Sequence, residues 1–101
     1  MDKRCTDETK VLFDALLELK TAEECRMLLE DLCTVKEIRD MGQRLKVAAL
    51  LRDGTCYNRI NETTGVSTAT ISRVSRCLDY GSGGYRLILD RLAQKGQERD
   101  Q

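Results

Sequence analysis

Residues 57–78, YNRINETTGVSTATISRVSRCL, read as two short helices joined by a tight turn. Gly65 is the pivot. A chain that reverses here needs positive φ, which glycine takes at little steric cost. Ser67 stands two residues on, a natural N-cap for the second helix. Ile60, Val66, Ile71, Val74 and Leu78 are apolar, and those at 71, 74 and 78 share one helix face by their spacing. The opposite face carries Thr68, Ala69, Ser72, Ser75 and Arg76. An apolar face docks the second helix on the first. A small, hydroxyl-rich face leaves room to approach base edges, as the recognition helix of a helix-turn-helix must. The competing reading is an ordinary helical hairpin. Against it stand the offsets of Ile60, Gly65, Val66, Ile71 and Val74, with TATISR in the reading position. Thr64 occupies a place that is usually apolar. Its methyl can pack while its hydroxyl bonds back to a carbonyl of the preceding turn.

With QRLKVAALLRDGTCY (43–57) before it and YGSGGY (80–85) after it, GVSTATISRVSRCL (65–78) resembles the Trp repressor superfamily. The likeness is to its Trp-repressor-related branch of YerC/YecD-like proteins and covers roughly residues 12–92. It implies an all-α, six-helix, Trp-repressor-like fold with a helix-turn-helix. It also implies an intertwined homodimer whose N-terminal helices interlock, and a DNA-binding transcriptional regulator, specifically a repressor. The expected organisation is a single domain, 1–101. Dimerisation helices occupy about 7–53, the helix-turn-helix about 56–80, and a C-terminal helix about 85–94.

For DNA, Thr68 and Ala69 at the start of the second helix approach base edges, and Thr70 and Ser72 donate to phosphates or bases. A thymine methyl suits Thr and Ala. By resemblance, Asn58 and Asn61 match places where the family carries basic DNA-contacting residues. An amide there contacts phosphate without the charge. Arg59 and Arg76 are candidate phosphate clamps, with Lys46 and Arg52 behind them. The resemblance also implies a ligand pocket. Arg44 and Arg73 match the two arginines that frame tryptophan in the repressor. Val74, however, stands where a glycine admits the flat indole, and Cys77 replaces a serine that helps hold the amino group. No response to tryptophan is therefore expected, and a different small effector is left open.

Bulk properties are consistent with this reading. The chain has 101 residues, 34% charged and 4% aromatic, with no proline and no tryptophan, which favours helices. Its formal net charge is zero, but unevenly spread. Residues 1–35 carry five basic and nine acidic side chains; residues 36–101 carry twelve and eight, so the excess of base lies with the helix-turn-helix. No run approaches the ~20 apolar residues of a membrane span, and the polar N-terminus has no signal-peptide pattern, so a cytoplasmic protein is expected. With no histidine and no C-x-x-C pair, the expectation is no metal and no cofactor. Cys5, Cys25, Cys33, Cys56 and Cys77 are read as free, mostly half-buried thiols. Nothing pairs a nucleophile with a base or follows a strand with a phosphate loop, so no enzyme is expected.

Upstream, helices are expected over 7–19, from Thr21, and from Thr34 to about Asp53, the latter two opening on capping boxes with Glu24 and Glu37. The third carries more apolar surface than one neighbour covers, which suggests a partner subunit. The last helix, 85–93, is expected to turn Ile88, Leu89 and Leu92 inward, with GQERDQ frayed beyond it. The alternatives to a DNA-binding repressor are a protein-interaction module or a regulator that needs an unknown small-molecule corepressor.

Overall fold

The computed structural model describes residues 6–99, with side-chain surroundings through residue 96. Among these residues are six α-helices and no strand: α1 (Asp7–Leu17), α2 (Ala22–Leu32), α3 (Val35–Arg52), α4 (Tyr57–Thr64), α5 (Thr68–Tyr80) and α6 (Gly84–Arg99). The all-α, six-helix expectation matches. The chain divides into two compact units, Met1–Ile38 and Arg39–Gln101.

Threonines open the helices of the first unit. Thr6 Oγ1 accepts from the Thr9 N–H at 3.2 Å, and Thr21 Oγ1 from the Glu24 N–H at 3.1 Å. At Thr34 the capping box is reciprocal: the Glu37 N–H donates to Thr34 Oγ1, and the Thr34 N–H donates to the Glu37 carboxylate at 2.8 Å. At Thr21 the return bond differs, because Glu24 accepts from the Lys20 N–H, one residue earlier than the cap. α1 stops at Leu17, two residues before the expected end, as Glu18 and Leu19 tighten into i→i−3 bonds. On α2, Arg26 pairs with Glu23 and Glu30, and holds the Glu23 carboxyl below its ordinary range. The apolar stripes are present in this unit, yet neither α1 nor α2 buries a residue.

The core lies in the second unit. Val47 and Ala48 of α3, Ile60 of α4, Val66 of the turn, Ile71 and Val74 of α5, and Leu89 of α6 pack as one cluster. Ile60, Ile71 and Val47 are its largest fully buried side chains. α3 ends by a left-handed glycine. Gly54 has φ 87°, its N–H donates to Leu51, and the Thr55 N–H reaches the Leu50 carbonyl at 3.0 Å. Gly81 after α5 is a glycine for another reason. Its backbone is extended, and a Cβ there would run into the Cys77 carbonyl.

α6 differs most from expectation. Only Leu89 is buried; Ile88 and Leu92 are 42% and 50% exposed. The helix runs on to Arg99, because Gln94–Arg99 are good helix formers apart from Gly96; residues 100 and 101 of the expected frayed end lie outside the described residues. Two arginines tie α6 down. Arg52 of α3 pairs with Asp90, and Arg86 donates to the Leu78 carbonyl at 3.0 Å and pairs with Asp79. Arg86 thus places a cation at the C-terminal end of α5, where the helix dipole favours one. Of the described thiols, Cys25 and Cys33 are half-buried as expected, but Cys56 and Cys77 are exposed. Cys5 lies outside the described residues.

Candidate nucleic-acid interface

The turn between α4 and α5 is held by its own polar groups. Gly65 takes φ 73°, and its N–H donates to the Asn61 carbonyl at 2.9 Å. Thr64 Oγ1 donates to the Ile60 carbonyl at 2.7 Å and accepts from the Val66 N–H at 3.1 Å. One hydroxyl therefore satisfies both sides of the bend at a place where an apolar residue is usual. Asn61 Nδ2 donates to the Val66 carbonyl at 2.8 Å. Ser67 then caps α5, accepting from the Thr70 N–H at 3.2 Å. These bonds engage the N–H of Gly65 and both backbone groups of Val66, so α5 is aimed by a hydrogen-bonded joint.

α5 buries Ile71, Val74 and Leu78 and turns the other way with Thr68, Ala69, Ser72, Arg73 and Arg76, all exposed. Nothing bulky stands at its N-terminal end. A face of hydroxyl, methyl and guanidinium groups is free to approach an anionic, groove-shaped partner. Asn58 and Arg59 are exposed on α4 beside it. Three of the expected contacts are at least partly committed elsewhere. Asn61 gives an amide proton to the turn, and Thr70 is half-buried with its hydroxyl 3.1 Å from Ser67 Oγ. Arg52 is engaged with Asp90.

The residues expected at a ligand pocket do converge. Arg44, Arg73, Val74 and Cys77 line one cavity of about 200 Å³, together with Thr70 and Tyr85. Tyr85 was not legible as part of it. It follows four glycine and serine residues, 81–84, and only the path of that turn brings α6 back beside α3 and α5. Val74 is 2% exposed, so its isopropyl group belongs to the core as much as to the cavity wall.

The model of the Trp repressor protein family matches residues 7–93. Over 98 residues the chain is 48% identical to the uncharacterised protein YerC of Bacillus subtilis (strain 168), covering 97% of this chain and 94% of that protein. A crystal structure of a TrpR-like protein from Eubacterium eligens is 46% identical, with a TM-score of 0.84 over 87% of this chain and 91% of that one. A crystal structure of a candidate Trp repressor from Staphylococcus aureus is also 46% identical, with a TM-score of 0.86 over 90% and 91%. The chain therefore belongs to the Trp repressor family, a family of helix-turn-helix DNA-binding regulators and not of enzymes, in the branch related to YerC.

Proposed function

We propose that this chain is a sequence-specific DNA-binding repressor that acts in the cytoplasm as a homodimer and does not respond to tryptophan. The observation that carries the reading is α5, whose exposed side is small and hydroxylated at the N-terminal end and cationic at Arg73 and Arg76, opposite a fully packed inner side. Thr68, Ala69 and Ser72 read base edges in the major groove, with Thr70 at the groove wall. Asn58, Arg59, Asn61 and Arg76 hold the phosphates.

Support for a dimer comes from the first unit. Phe13 and Leu17 of α1 are 51% and 83% exposed, and Val11, Leu12 and Leu16 are exposed beside them. Met27 and Leu32 on α2, and Val35 and Met41 on α3, continue the pattern. Helices of this composition gain most of their stability from packing an apolar face, so a second copy is the natural cover. The whole chain is then one domain. Helices in about 7–53 dimerise, 56–80 bind DNA, and 85–94 and beyond brace the joint. Independence from tryptophan rests on Val74, which fills with branched carbon the space a flat ring requires.

The test is selection of bound sequences from a random double-stranded pool at two salt concentrations, without tryptophan. The expected result is a palindrome whose half-sites lie about one helical turn, roughly 34–36 Å, apart. Binding that selects no sequence, or selection only after tryptophan is added, overturns the proposal. A protein-interaction module would show no DNA binding that weakens steeply with salt.

A further inference from the structure

The leading end of a recognition helix meets base edges first, so its side chains decide how the base pair beneath it is told from others. In this chain residues 66–72 are VSTATIS. Val66 and Ile71 are buried in the core. Ser67 and Thr70 are engaged with each other: Ser67 Oγ accepts from the Thr70 N–H at 3.2 Å and lies 3.1 Å from Thr70 Oγ1. Thr68, Ala69 and Ser72 remain, all three exposed. None of them carries an amide, a guanidinium or a carboxylate, the planar groups that make two-point contacts with a base edge. The guanidiniums of Arg73 and Arg76 follow about one and two turns beyond Ala69. A serine or threonine hydroxyl both donates and accepts, so it bonds the O4 of thymine or the N4 amino group of cytosine. Hydrogen bonding at this tip therefore separates base pairs weakly. What thymine has and cytosine lacks is a C5-methyl group, and the tip presents two methyl groups of its own, Thr68 Cγ2 and Ala69 Cβ.

We propose that the base pair under the tip of α5 is discriminated by the C5-methyl group of its pyrimidine, packed against Thr68 Cγ2 and Ala69 Cβ, so that 5-methylcytosine is accepted there in place of thymine. This rests on the DNA-binding function proposed above and names the chemistry by which that site selects. Thymine is read for its methyl group and not for its hydrogen-bonding edge. Uracil and cytosine, which lack the methyl, are then penalised alike. Methylation of a cytosine at this one position becomes a gain of affinity, a response that a site built on two-point hydrogen bonds does not give.

The position is located by selection from a random duplex pool with the parent and with Thr68→Arg. The base pair at which the two selected sequences differ lies under the tip, and the parent is expected to select T·A there. Affinity of the full chain for the selected duplex is then measured by fluorescence anisotropy at fixed salt. That thymine is replaced in both half-sites by uracil, by cytosine paired with guanine, or by 5-methylcytosine paired with guanine. Uracil and cytosine should each weaken binding about fourfold per half-site, the weight of one buried methyl group, and 5-methylcytosine should recover the affinity of thymine. Thr68→Ser and Ala69→Gly should each reduce the preference for thymine over uracil, whereas Thr68→Val, which keeps a methyl and loses the hydroxyl, should retain it. Both positions are exposed, and a thermal melt by circular dichroism checks that the variants stay folded. Identical sequences selected by parent and Thr68→Arg overturn the inference, as does a parent site without T·A at that pair. Uracil bound as tightly as thymine, or 5-methylcytosine bound no better than cytosine, does the same. Loss of the preference in Thr68→Val with its retention in Thr68→Ser and Ala69→Gly assigns the reading to the hydroxyl and also overturns it. If the parent selects no sequence at all, the proposed function itself fails and this inference with it, a result seen before any base is replaced.

Discussion

At the scale of single residues, the joint between α4 and α5 depends on two side chains chosen for opposite reasons. Gly65 is there for what it lacks. Its φ of 73° is left-handed, and no atom lies within 4 Å of where a Cβ would sit, so the constraint is backbone strain alone. Gly65→Ala should destabilise by about 1–2 kcal/mol, and Gly65→Asn by less, in denaturant titrations. Equal losses for the two would mean that the strain account is wrong. Thr64 is there for its hydroxyl, which serves both Ile60 and Val66. Thr64→Val keeps the shape and leaves the part-buried Val66 N–H without an acceptor, at a cost of about 1–3 kcal/mol. A Thr64→Val protein as stable as the parent would assign that position to packing instead.

At the scale of elements, α5 combines an inner side that sets its position with an outer side that sets its use. Ile71 is fully buried against α3 and α4 core residues. Ile71→Ala should cost about 2–5 kcal/mol by opening a cavity, with a matching fall in the midpoint of unfolding. On the outer side, Arg76→Ala should weaken binding to all duplexes alike and lower the salt dependence by about one counterion, whereas Thr68→Arg should change the selected sequence. If Arg76→Ala shifts the selected bases and leaves the salt slope untouched, the division into positioning and reading residues fails. Anchors at both ends keep α5 aligned: the Ser67 cap at its start and Arg86 on the Leu78 carbonyl near its end.

For the whole molecule, the decisive contrast is between a second unit with a packed core and a first unit whose helices bury nothing. If a second copy covers those apolar side chains, sedimentation should give twice the 11.5 kDa chain mass, and the melting temperature should rise with protein concentration. Phe13→Asp with Leu17→Asp should shift the mass toward one chain and abolish selection of a palindrome. A monomeric parent at micromolar concentration would remove the dimer from the proposed function.

Sequence alone determined the elements and the joint between two of them. Positive φ at Gly65, the Ser67 and Thr34 caps and the 71–74–78 face are local facts. Each follows from one residue's sterics or from a spacing of three to five positions, which any window of sequence displays. Tertiary structure decided what depends on where helices go after their turns. It sent Ile88 and Leu92 outward while burying Leu89, engaged Arg52 with Asp90 and Arg86 with the end of α5, and brought Tyr85 to the cavity beside Arg44 and Arg73. Those outcomes join positions up to some forty residues apart. Helical periodicity identifies an apolar stripe, but the neighbour that covers it is set by the path of the turns and the closing of the core.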